Sequence, residues 1–145
     1  MSTDSLVDLI ERHADELSKN LISDLQQHVT TPTYHSYDEK ELYNRAINVY
    51  GNLGKWISRE TTKEDIARYY QALGAQRKKE GFVLSEVIQA LIIAKRHIWL
   101  KVQSEGFLDT IMDLYKAMEL SNRVVLFFDR ATYYTTVGYE RRMRL

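Results

Sequence analysis

"GFVLSEVIQALIIAKRHIWLKV" (residues 81–102) is the most apolar stretch of the chain, and its spacing decides the fold. At about 100° per residue, Leu84, Leu91 and Val102 share one direction, flanked by Val87, Ile88, Ile98 and Trp99. Ala90, Ile93 and Leu100 form a second stripe on nearly the opposite side. That is the period of a helix, running from about Ser85 to Ser104 and covered on two sides, as at the centre of a bundle or at a dimer interface. Lys95, Arg96 and His97 interrupt the run but point in three directions, so they form no common patch. Lys95 falls on the main stripe. Its methylenes can lie on the core while the ammonium reaches water, or it can meet an acidic partner or an anionic ligand. His97 lies beside the second stripe. It reads as a core or interface histidine bonded to a carbonyl or carboxyl group, with a proximal haem ligand as the competing reading.

The same period recurs outward from this stretch. Leu6, Leu9, Ile10, His13, Leu17, Leu21, Leu25 and His28 follow one face, with N-cap oxygens offered by Ser2, Thr3, Asp4 and Ser5. "HVTTPTYHSY" (28–37), with the chain's one proline, ends that first helix. Asp38 with Glu41 resembles a capping box and opens a second helix with Leu42, Ala46, Val49, Leu53 and Trp56 on one stripe. Thr62 with Asp65 starts a third, through Ile66, Tyr69, Tyr70 and Leu73, which Gly81 ends. Beyond the quoted stretch, Gly106 is a stop and Asp109 a cap. The last helix, from Thr110 toward Arg142, would be about 50 Å long at 1.5 Å per residue. Its apolar marks are Ile111, Leu114, Met118, Val125 and Phe128, then Tyr133, Tyr134, Val137 and Tyr139. Gly138 and the Thr135–Thr136 pair are its expected weak points. Gly51 and Gly54 either weaken the second helix or allow a close crossing. One proline and six glycines are too few for the turns of an all-β chain. The expected fold is all-α: a single domain over residues 1–145, a bundle of about five helices with a long C-terminal one.

Composition narrows the function. Twenty basic and twenty acidic residues cancel, which argues against a nucleic-acid partner. There is no cysteine, so thiolate chemistry and zinc–thiolate sites are excluded. No window holds the ~18 uncharged apolar residues of a membrane span, and the N-terminus does not read as a secretory signal, so a cytoplasmic protein is expected. "GNLG" (51–54) lacks the Lys-Ser/Thr of a phosphate-binding loop and follows a helix. No histidine pair has di-iron spacing, and the carboxylates are spread at i,i+4 spacing with Lys or Arg, so an enzyme is not expected. The ten tyrosines suit core edges and interfaces, or line a small-ligand cavity.

The stretches "ALGAQRKKEGFVLSEVIQALIIAKRHIW" (72–99) and "VVLFFDRATYYTTVGYE" (124–140), with "LYNRAINVYGNLGKWI" (42–57), resemble the N-terminal sensor domain of RsbR-type regulators, the RsbT co-antagonists of bacterial stress signalling. The motifs are the Arg77-x-x-x-Gly81-Phe82 step, Glu86-Val87, and Phe-Asp-Arg-Ala-x-Tyr-Tyr at 128–134. The resemblance covers most of the chain and rests on packing motifs. It implies an all-helical, globin-like domain without haem, which dimerises and passes a signal along its last helix to an output domain or protein partner. The usual output domain would follow that helix, whereas this sequence stops at Leu145, as a piece of a longer protein or a stand-alone version would. Arg77, Lys95, His97, Trp99, Phe128 and Tyr133 are the expected ligand-binding or interface residues. No cofactor and no catalytic or metal site is expected, except His97 if haem binds. The competing readings are a haem- or small-ligand-binding globin-like sensor and a protein-binding adaptor.

Overall fold

The computed structural model describes residues 3–105 and 110–141. Every regular element among the described residues is helical: α1 (Thr3–Arg12), α2 (Ala14–Gln27), a 3₁₀ turn (Pro32–His35), α3 (Glu39–Tyr50), α4 (Leu53–Trp56), α5 (Lys63–Lys79), α6 (Leu84–Ser104) and α7 (Ile111–Glu140). The expected all-α fold with a long last helix is what forms. Two of the expected helices are broken into pairs. The first breaks at His13, whose φ of −102° and ψ of 18° leave the helical region, while its Nδ1 lies 2.9 Å from the Leu9 carbonyl oxygen. The second breaks at Gly51 and Asn52, between α3 and α4. None of the described helices is long and apolar enough to cross a membrane.

The ends follow local chemistry. Thr62 and Asp65 form a reciprocal capping box at the start of α5, satisfying two backbone donors. Asp38 caps α3 through the Lys40 N–H at 3.0 Å, without the expected return from Glu41. Gly81, at φ +87°, ends α5 as foreseen. The Phe82 N–H returns to the Arg77 carbonyl and the Gly81 N–H to the Lys78 carbonyl, both at 3.1 Å. Thr110 caps α7 through the Asp113 N–H at 3.0 Å. The caps expected of Ser2 and Asp109, the stop at Gly106, and any role of the Thr3–Ser5 side chains lie outside the described residues and side chains.

α5 and α7 form the most extensive pairing in the molecule. Their contact is close because it is built on glycine: a Cβ on Gly74 would meet the Thr135 carbonyl, and one on Gly138 would meet the Gln71 carbonyl. Gly138 therefore seats the crossing and is not the weak point expected of it, and α7 continues as one helix to Glu140. α2 packs on α3 and α6, and α1 packs on α4 and α7. The core between them includes Leu6, Ile10, Tyr50, Leu53, Tyr70, Phe82, Ile98, Leu120 and Phe128. α6 buries one side through Val87, Ala94, Ile98 and Val102, and of its second stripe Ile93 is buried while Leu100 stays exposed, so that stripe is only partly covered.

Candidate functional site

The inner face of α5 carries Ile66, Tyr70, Leu73 and Arg77 at helical spacing, which puts an arginine at the end of an apolar row. α3 does the same, with Leu42, Arg45, Ala46, Val49 and Tyr50. Where these two faces meet Leu21, Ile22 and Leu25 of α2 and Val87, Ala90, Leu91 and Ala94 of α6, they line a partly open cavity of about 100 Å³. Tyr34, from the 3₁₀ turn, also lines it.

The cavity surface is apolar, and a charged cluster borders it. Arg77 is 8% exposed and donates from Nη1 to Glu80 Oε1 at 3.1 Å. Arg45 donates from Nη2 to Glu80 Oε2 at 2.7 Å and to the Tyr37 hydroxyl at 2.9 Å, and its guanidinium lies 4.9 Å from the Tyr37 ring centre. Its Nε is 3.4 Å from Glu41. Glu80 is thus shared by two guanidiniums. Burial alone would raise its carboxyl, but the hydrogen bond from Gln76 and the charges of Arg77 and Arg45 outweigh that and hold it below the usual range. Burial pushes Arg77 down, and the nearby Arg45 charge adds to the effect. Burial likewise pushes the Tyr34, Tyr50 and Tyr70 hydroxyls far above their ordinary values, so all three are neutral donors. Glu86 is turned away, accepting from the Thr33 N–H at 2.6 Å and the Thr33 hydroxyl at 2.7 Å. Tyr50 donates to the Ala94 carbonyl at 2.8 Å. Two buried donors of the lining have no hydrogen-bond partner among the described residues: Arg45 Nη1 and the Tyr70 hydroxyl.

Of the six residues singled out from the sequence, only Arg77 lines this cavity. Lys95 is half-buried on α6, outside the lining. His97 Nε2 lies 3.0 Å from Asp24 Oδ2 and ties α6 to α2, which is the interface-histidine reading. Haem does not fit here. That nitrogen is engaged by a carboxylate, His97 is absent from the lining, and about 100 Å³ falls well below the ~300 Å³ at which sites for larger ligands begin. Trp99 is half-buried against the core, outside the cavity. Phe128 is 2% exposed, with its ring 5.0 Å from that of Phe127. It is a core residue and is not available to a partner, which corrects its expected place at an interface. Tyr133 is 62% exposed on the outer side of α7.

Arg45 and Tyr70 were missed, although a signal existed. Arg45 falls three residues after Leu42 and four before Val49, on the apolar stripe of its helix, and Tyr70 and Arg77 bracket Leu73 in the same way.

The outer side of α7 is apolar as well. Ile111, Met112, Leu114, Tyr115, Met118, Val125 and Leu126 are exposed, Ile111 at 89% and Met118 at 61%. Comparison with known proteins found no matching family model, curated protein or solved structure.

Proposed function

We propose that the chain is a non-catalytic regulatory domain of a signal-transduction protein, of the RsbR type, which pairs with a second copy and transmits a signal along α7. The observation that carries this reading is the joint between α5 and α7. With Tyr70, Leu73 and Arg77, α5 forms one wall of the cavity, and at Gly74 it meets the backbone of α7. The Tyr139 hydroxyl of α7 also donates to the Phe82 carbonyl at 2.5 Å, at the turn just after Arg77. Close-packed helices do not deform smoothly, so an occupant that moves α5 moves α7 with it. The charged cluster bordering the cavity is suited to structure more than to activating a nucleophile, because its shared carboxylate, Glu80, is already engaged by two arginines.

The second copy is proposed for the outer face of α7. An apolar row from Ile111 through Leu114 and Met118 to Val125 is larger than scattered surface residues and supports an interaction surface. A chain of net charge +0 has no long-range repulsion from its own copy. The test is the mass in solution by light scattering. The natural chain is expected to be a dimer, and Leu114→Glu with Met118→Glu a folded monomer. A natural monomer would sink the pairing and leave the face to a different protein, as an adaptor requires.

A further inference from the structure

We propose that a trough between α7 and the segment 56–66 holds an extended, acidic segment of a protein partner. The trough is half-open and has a volume of about 500 Å³. One wall is α7, whose lining residues run from Glu119 to Arg130 on one side of the helix. The other runs from Trp56 to Ile66, through the connector and into the first turn of α5. Eleven residues of helix rise about 16 Å, so the space is drawn out along α7 and is not a bowl. At about 3.3 Å per residue, roughly five residues of extended chain fit that length.

Charge selects the chain. Arg59 and Lys63 line one wall and Arg123 and Arg130 the other, against a single lining carboxylate, Glu119. Among the described residues none of the four cations forms an ion pair. In a chain of net charge +0 this is a local excess that attracts acidic groups. The cations are spread out. Arg123 and Arg130 stand two turns apart, about 10 Å, with Leu126 between them and 49% exposed. An occupant that meets them all carries its charges along its length, with an apolar group in between. A peptide has that pattern, whereas the charges of a polyphosphate are gathered at one end. The floor is set before anything binds: Ile57, Ile66 and Phe127 are buried, and the Phe127 ring stacks on that of Trp56 with centres 5.5 Å apart. A fixed floor lowers the ordering cost of binding.

The inference rests on the regulatory reading only for its consequence, that a segment laid between the start of α5 and α7 acts on the same two helices as the joint at Gly74. Pairing is read as mass and peptide binding as anisotropy, so either can fail alone. The experiment titrates the full chain into fluorescein-labelled Gly-Asp-Glu-Leu-Glu-Asp-Gly and its amide counterpart Gly-Asn-Gln-Leu-Gln-Asn-Gly, in about 0.1 M salt. The acidic peptide is expected to bind with a dissociation constant below about 100 μM, and the amide peptide at least about tenfold more weakly. Arg123→Ala with Arg130→Ala, and separately Arg59→Ala with Lys63→Ala, should each weaken the acidic peptide about threefold to tenfold. Lys79→Ala with Arg96→Ala, two exposed cations outside the trough, should leave it unchanged. If one trough variant does not fold, the pair from the opposite wall still decides. Equal binding of the two peptides, unchanged binding in a folded trough variant, or an equal loss in the Lys79 and Arg96 variant would overturn the proposal. Displacement of the peptide by ATP at concentrations below the peptide's own dissociation constant would also overturn it, and would give the trough to a small anion. So would the absence of binding up to about 1 mM chain, weaker than a useful partner affinity.

Discussion

Tyr50 and Tyr70 are the same residue buried to the same depth, and they differ in one bond. The Tyr50 hydroxyl donates to the Ala94 carbonyl, and the Tyr70 hydroxyl has no partner among the described residues. Removing a paired buried hydroxyl costs about 1 kcal/mol, while removing an unpaired one costs nothing or gives some back. Urea unfolding should therefore show Tyr50→Phe destabilised by about 1 kcal/mol and Tyr70→Phe unchanged or more stable. A loss at Tyr70→Phe comparable to that at Tyr50→Phe would mean that its hydroxyl is bonded after all. Glu80 carries the opposite logic, since Glu80→Gln leaves two guanidiniums close together without their shared anion. The expected cost is about 2–3 kcal/mol near neutral pH, less than for a fully enclosed pair because the cluster keeps some contact with water. Glu80 has a lowered folded pKa, so its contribution is present above the ordinary carboxylate value of 4.5 and is lost as pH falls through the folded value. The stability gap between the natural chain and Glu80→Gln should close on acidification through that window, and a gap that stays constant would remove the ion pair as its cause. At this scale Arg77 could be read from its place on the packing motif. Arg45 and the orphaned Tyr70 could not, because which polar atom lacks a partner depends on neighbours from other helices.

Glycine gives the clearest contrast between elements. Gly81 adopts φ +87°, and a Cβ there meets nothing within 4 Å, so Gly81→Ala costs only backbone strain, about 1–2 kcal/mol. Gly74 has an ordinary helical place but faces the backbone of α7, and Gly74→Ala forces the two helices apart. Its cost should exceed about 3 kcal/mol, as overpacking against backbone does, and denaturant unfolding of both variants checks the order. The reverse order would mean that the α5–α7 crossing yields easily. The sequence made Gly81 legible because a stop after a charged last turn is a local signal. It made Gly138 look like a weak point because a mid-helix glycine has two readings and only the partner helix decides between them. The caps at Thr62 and Asp38 were legible for the same local reason. The break at His13 is not, because the apolar stripe continues across it and Leu17 and Leu21 rejoin the core; Gly51 is marked in the sequence as a place where the second helix weakens, although Leu53 and Trp56 carry the stripe past it.

At the scale of the whole molecule, α7 is about 45 Å long and carries two stripes. Of the apolar marks read from the sequence, Ile111, Leu114, Met118 and Val125 lie on the outer one, while Phe128 belongs to the inner one. The inner one, Ala117, Leu120, Val124, Phe127, Ala131, Thr135 and Gly138, is partly built from small residues whose burial only a close crossing explains. A helix with both sides apolar is used on both sides. The two stripes make opposite predictions for the same substitution. Phe128→Glu places a charge in the core beside Phe127 and should abolish the cooperative unfolding transition. Met118→Glu places it on the outer face, so helicity and the unfolding midpoint should hold while the mass by light scattering falls to that of one chain. The proposed pairing is apolar, so the dimer expected of the natural chain should keep its mass between about 0.05 and 1 M salt, a range over which screening lengths fall from more than 10 Å to about 3 Å. Dissociation by salt would assign the pairing to charged side chains instead. A dimer that survived Met118→Glu would take α7 out of the proposed interface, and with it the proposed route from the α5–α7 joint to a second copy.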